Sequence, residues 1–217
     1  MKWQMRAHTP GVFRPKPILH QQEDLGLFLA IQSWGNPADS QIVIEDVTRY
    51  IQAAVADVEV TSPFEFSVHW PDAVNFVRTA LMICNENIFY KYNQGEYLSG
   101  LEVMVLYRHK NICAWSSVGA HQLMGFTNDK IEIIAASNDS SQASPLPLNM
   151  LGVHKTAAIQ SGYFLVGKFK NILLTSPNID VTGAAVDSAK SVDFVRLSHS
   201  LIQKNKNEAF FHCLLSF

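Results

Sequence analysis

Apolar residues recur along this chain with two periods, and the change between them falls near Gly100. Lys2–His8 alternates loosely and predicts a first strand. Pro10, Pro15 and Pro17 break the chain after it. Leu25–Ile31, reading LGLFLAI, is a short, almost unbroken apolar run, as in a strand buried on both faces. A loop follows, and Asp39 or Ser40 can then cap a helix whose Ile44, Val47, Ile51 and Val55 form one apolar stripe. A second helix follows HWPDAVNF, where Pro71 suits the first turn and Asp72 favours the same end. Its Val74, Val77, Leu81, Cys84 and Ile88 sit three and four residues apart, so one face goes to a core.

Beyond Gly100 the pattern becomes strand-like. LEVMVLY, NICAWSSV, HQLMGF and KIEIIAA are β-rich runs, with Arg108–Asn111 as a hairpin turn between the first two. Ser137–Pro147 is polar, has no core-forming pattern, and reads as a flexible interior loop. Tyr163–Val166 and Asn171–Ser176 read as a further hairpin. A helix over about 184–204 turns Val186, Phe194, Leu197 and Leu201 inward, and EAFFHCLLSF closes the chain as a strand. Helices and strands are segregated more than alternated, which predicts an α+β fold: two antiparallel sheets stacked and flanked by helices, a four-layer αββα sandwich in one domain spanning 1–217.

Composition narrows the function classes. With 47% hydrophobic and 17% charged residues, the 217-residue chain is globular and can bury a sizeable core. Its net charge of −2 gives no basic footprint for nucleic acid. No run of 18 apolar residues predicts a membrane span, and the first residues lack the apolar stretch of a secretory signal. Cys84, Cys113 and Cys213 are far apart and odd in number, which fits buried free thiols in a reducing cytoplasm rather than a disulfide framework.

Local chemistry motifs are missing. None of the eight histidines is four residues from another, so no helical metal pair exists. Phosphate-binding and dinucleotide-binding glycine loops are absent, as is the G-x-S-x-G of a serine hydrolase. An N-terminal nucleophile hydrolase, the form an unrelated α+β hydrolase-like sandwich would take, would need Thr9 freed by a cleavage that nothing in the sequence signals.

Several short stretches, in order from end to end, resemble the metal-dependent protein phosphatases of the PPM or type 2C serine/threonine family in their compact bacterial form. GVFR at Gly11–Arg14 resembles the family's G-x-V-R opening. LFLAIQSWGN resembles its strand ending in A-D-G-x-G-G, and ALMICNENIF its A-N-x-x-I helix. Ser99-Gly100-Leu101-Glu102 stands where M-G-T-T would, SSVGAHQLM resembles V-G-D-S-R, and NMLG resembles R-A-L-G. NILLTSPNIDV resembles the strand ending in S-D-G-L, and NKNEAFFHCLLSF stands at the final D-N-x-T strand.

The resemblance implies two Mg²⁺ or Mn²⁺ ions held by carboxylates, orienting a water for attack on a phosphate. Hard cations bind through anionic oxygens, and their charge lowers the pKa of the water. In this sequence the matching acids are gone. The Asp of D-G falls on Gln32 and its Gly on Ser33; the Asp of V-G-D falls on Ala120. The Asp of S-D-G falls on Pro177, beside Asn178, and the Asp of D-N falls on Asn207. The N-E-D acids fall near Pro17–Leu19. Trp34, where the family has a small residue, reads as a packing side chain. Arg14 matches the arginine that contacts the substrate phosphate.

The expectation is therefore a catalytically degenerate, cytoplasmic phosphatase-like protein without a metal cofactor. It would hold a protein partner, such as a phosphoprotein or kinase, and not a nucleic acid or membrane. The alternative is an active phosphatase whose metals sit on shifted acids, Glu23, Asp24 or Asp180.

Overall fold

The computed structural model describes residues 1–11, 13–57, 62–96, 99–127, 130–137, 147–177, 179–181, 183 and 192–216. The chain forms two compact units, Met1–Lys16 with Ala120–Leu146 and Val166–Phe217, and Pro17–Gly119 with Pro147–Leu165. Each contains one five-stranded antiparallel sheet.

The Pro17–Gly119 unit has strands β2 (Ile18–Gln22), β3 (Leu27–Ser33), β4 (Leu101–His109), β5 (Ile112–Val118) and β8 (Gln160–Leu165), in the order β2-β3-β4-β5-β8. Helices α1 (Asp39–Ala56) and α2 (Asp72–Asn87) lie on this sheet. The α2 stripe expected from the sequence is real: Val74, Val77, Leu81, Cys84 and Ile88 are fully buried. They join Leu29 and Ile31 of β3 and Val103, Val105 and Tyr107 of β4 in one core. Each such aliphatic side chain contributes roughly 1.5–3 kcal/mol by leaving water. Past Asn87 the helix widens into one π-helical turn, Ile88–Tyr92.

Two local expectations change. The N-cap of α1 is Ala38, with no side-chain cap, because the Asp39 carboxylate is buried and accepts the Ser99 hydroxyl instead. Val55 is exposed; Val43, Tyr50 and Ala54 complete the buried face. At α2, Pro71 is the extended N-cap residue, as its fixed φ and missing N–H allow.

Asn85 and Asn93 tie the loop at Gly152 to this unit. Asn85 donates to the carbonyls of His154 and Lys155 and accepts the N–H of Gly152. Asn93 donates to the carbonyls of Ser99 and Gly152 and accepts the Ser99 N–H.

The other unit has strands β1 (Lys2–His8), β6 (Gln122–Phe126), β7 (Ile131–Ala136), β9 (Asn171–Ser176) and β10 (Phe210–Ser216), in the order β1-β10-β9-β6-β7. Helix α3 (Phe194–Lys204) starts at Asp193, whose carboxylate accepts the N–H groups of Val195 and Arg196, an ordinary N-cap. Its Leu197 and Leu201 pack on Met124, Leu173, Phe210 and Leu214. Beneath the helix, residues paired straight across the sheet form a polar row, Arg6, His212, Thr175 and Gln122.

Tyr163–Val166 and Asn171–Ser176 do not form the expected hairpin. β8 pairs with β5, whereas β9 lies between β10 and β6 in the other sheet. β2, unforeseen in the sequence, begins directly after Pro17 and pairs with β3. Of the Ser137–Pro147 loop, 138–146 lie outside the described residues, as do 184–191 of the expected last helix, Val186 among them.

Candidate functional site

The strand–loop–helix connection after β3 positions the first candidates. Gln32 and Ser33 are the last residues of β3. Gln32 is buried and lies directly opposite Glu102 in the β3–β4 ladder. Directly opposed residues on one face have Cβ atoms about 5 Å apart, so the amide and the carboxylate are immediate neighbours. Ser33 begins a self-satisfied turn: its hydroxyl donates to the Asn36 carbonyl at 2.8 Å, and the Asn36 side-chain oxygen accepts the Ala38 N–H at 3.1 Å.

Glu102 is fully buried. Two features make room for it. The Trp34 indole N–H donates to its Oε2 at 2.9 Å, and the Trp34 backbone N–H is fixed to the Gly100 carbonyl at 2.8 Å. On the other side stands Gly119, with φ +103°; a Cβ there would meet Glu102 Cγ at 2.6 Å and Oε1 at 2.9 Å. Only glycine both adopts that φ without strain and leaves that space. The signal for Glu102 was weak: one glutamate opening an apolar strand, whose place at the site appears only once the register with β3 is known.

The remaining candidates belong to the other unit. Arg14 is half-buried, and its Nη2 donates to the Ser176 hydroxyl at 2.7 Å. Ser176 ends β9 and precedes Pro177 through a cis peptide bond. Arg14 and Pro177, expected at one site, therefore do come to the same strand end. Ala120 is buried in the turn entering β6. Asn207 is exposed in the turn between α3 and β10, and Asn178 lies outside the described residues.

The shifted acids are occupied or dispersed. The Asp180 carboxylate pairs with Lys204 at 3.0 Å, while the Asp180 N–H and carbonyl are both bound by the Asn205 amide. Glu23 and Asp24 are exposed in the turn between β2 and β3, where Glu23 accepts the Gln21 amide. Among the described residues, no group of three or more His, Cys, Asp or Glu side chains is close enough to hold a metal ion. A pair of divalent ions needs several anionic oxygens to offset dehydration. Gln32 and Ser33 supply an amide and a hydroxyl, and the Glu102 carboxylate opposite Gln32 already accepts an indole N–H. This donor set does not fit the binuclear centre.

Cys84, Cys113 and Cys213 are free and buried. Burial pushes the thiols of Cys113 and Cys213 up to about 12 and raises that of Cys84 as well, so none supplies a thiolate nucleophile at neutral pH. Among the described residues, no helix is long and apolar enough to cross a membrane.

No protein-family model matches the sequence, and no curated protein matches it. Solved structures do match, over the whole chain. PppA, a key regulatory component of T6SS in Pseudomonas aeruginosa, superposes with a TM-score of 0.67 at 15% identity, covering 100% of this chain and 97% of that one. The serine/threonine phosphatase Stp1 from Staphylococcus aureus gives 0.66 at 12% identity, with 100% and 94% covered. The PPM Ser-Thr phosphatase MsPP from Mycobacterium smegmatis, in complex with cacodylate, gives 0.65 at 12%, with 100% and 98% covered. The fold is therefore the α+β sandwich of the bacterial PPM phosphatases, as the ordered short stretches suggested.

Proposed function

We propose that this chain is a pseudophosphatase: a PPM fold that has given up its metal-holding positions and serves as a binding or regulatory module in bacterial phosphorylation signalling. The observation that carries this reading is the Gln32–Glu102 pair. Where the family places a metal-binding Asp, the ladder has a neutral amide. The Glu102 carboxylate opposite it accepts the Trp34 indole N–H. The partner is a protein, a phosphoprotein or kinase held without turnover in the cytoplasm. Arg14, steadied by Ser176, offers the guanidinium that would grip a phosphorylated side chain through charge-assisted hydrogen bonds. A regulatory part agrees with what PppA is in its own organism.

Calorimetric titration with Mn²⁺, run beside a dephosphorylation assay on a phosphoserine peptide, tests the proposal. No saturable heat and no phosphate release above buffer are expected, while the phosphopeptide binds and Arg14→Ala weakens that binding. Micromolar Mn²⁺ affinity, or phosphate release abolished by a chelator, would overturn it.

A further inference from the structure

His212 of β10 is a histidine in an apolar seat. It is paired across the sheet with Arg6 of β1 on one side and Thr175 of β9 on the other. Phe194 of α3 lies against its ring, with centroids 5.5 Å apart. One turn further along α3, the Ser198 hydroxyl accepts a long hydrogen bond from Arg6 at 3.5 Å. The imidazole is fully buried, and neither of its nitrogens is hydrogen-bonded among the described residues.

The groups that face it offer no anion to a proton taken up there. β1 brings Arg6 and, two residues on, His8. β9 brings Thr175, whose hydroxyl donates to Gln122 of β6. The neighbours on β10 itself, Phe210 and Leu214, are apolar. On α3, Arg196 pairs with Asp193 and Lys204 with Asp180, while His199 is exposed and bonded to Gln203. A buried cation with no partner is strongly disfavoured. Burial first, then Arg6 and His8, accordingly lower this imidazole to about 4.

The helix above it is held unevenly. At its C-terminal end the Asn205 amide takes both backbone groups of Asp180, and Lys204 pairs with the Asp180 carboxylate at 3.0 Å. Its N-terminal end, capped by the exposed Asp193, rests on the packing of Phe194 and Leu197 and on the long Arg6–Ser198 bond. β1, by contrast, is laddered to β10 from Lys2 to His8. Water therefore reaches His212 most readily by displacing the start of α3.

We propose that His212 makes α3 an acid-released latch: when its imidazole takes up a proton, the N-terminal half of the helix lifts from the sheet and stays hinged at Asn205. An 11-residue helix is marginal without its packing, so the lifted turns open. This inference stands apart from the functional reading.

Amide hydrogen exchange at pH 7.5 and 5, corrected for intrinsic rates, tests it. With the closed imidazole at about 4 and the opened one at its ordinary 6.5, the opening constant read at the Leu197 and Ser198 amides should rise about 25-fold between the two pH values. That opening should depend little on dilute urea, whereas amides of β1 and β10 should follow global unfolding. His212→Phe should hold the α3 opening constant level. The native chain alone separates a local opening from a global one, through the urea dependence. An α3 that opens only with the strands, no rise at pH 5, or an equal rise in His212→Phe would each overturn the proposal.

Discussion

Replacing His212 by Phe should flatten the acid side of the stability profile. His212 lies in the polar row beneath α3, fully buried, with neither ring nitrogen hydrogen-bonded among the described residues. Its ring is flanked by Phe194 of α3 and Phe210 of β10, with centroids 5.5 Å and 5.6 Å away. Arg6 stands across the ladder and reaches Ser198 of α3. Burial, with Arg6 and then His8 nearby, lowers the imidazole from its ordinary 6.5 to about 4. The unfolded chain therefore takes up this proton near pH 6.5, and the folded chain only near pH 4. The stability tied to a neutral His212 is intact above pH 6.5, drains away as pH falls towards 4, and stays lost below. The whole loss is about 3 kcal/mol, of which about 2 kcal/mol is gone by pH 5. Phe keeps a ring between the two aromatic neighbours and removes both unmade hydrogen bonds, so at pH 7.5 the variant should be no less stable than the native chain. Urea unfolding at pH 7.5, 6 and 5 measures both. The native chain should lose about 2 kcal/mol more than His212→Phe between the highest and lowest pH. Parallel profiles would refute the reasoning, because a titrating imidazole could not then be the cause.

Two substitutions probe the Glu102 pocket. Gly119→Ala puts a Cβ 2.6 Å from Glu102 Cγ at a φ of +103°. Strain and overpacking together should cost about 2–4 kcal/mol, read as a lower urea midpoint at unchanged slope. Gln32→Asp places a second carboxylate opposite the buried Glu102. It should lower stability by about 1–3 kcal/mol at neutral pH, with partial recovery in acid. Millimolar Mn²⁺ should raise the melting temperature of that variant and leave that of the native chain unchanged; a variant as stable as the native chain without Mn²⁺ would refute the charge argument.

The helices were legible because their signal is local. The α2 stripe is spelled out at spacings of three and four, and all five of its residues are fully buried. Sheet membership is not local. β8 and β9 sit at hairpin distance in sequence, yet their partners, β5 for one and β10 and β6 for the other, are dozens of residues away. β2 was hidden because its HQQ carries no apolar alternation and prolines precede it. Its pairing comes from β3 offering a ladder, not from its own propensity. At the site, Gln32 and Ser33 could be placed from the order of elements. Glu102 could not, since only the β3–β4 register makes it a neighbour of Gln32.

That register also explains why residues 32, 34, 102 and 119 belong together. An Asp at 32 facing a buried Glu at 102 would set two negative charges about 5 Å apart in a poorly solvated ladder. Such a pair is tolerable with cations between them and costly without. An amide at 32 removes one charge, the Trp34 indole satisfies one oxygen of the other, and Gly119 leaves the notch the Glu102 side chain fills. Each choice needs the others: a small residue at 34 would strip Glu102 of that donor, and a side chain at 119 would evict it. The start of the loop after β3 is thus held twice at Trp34, by its backbone on Gly100 and its ring on Glu102. The β3–β4 register, the indole hydrogen bond and the space left at Gly119 thus couple the four positions.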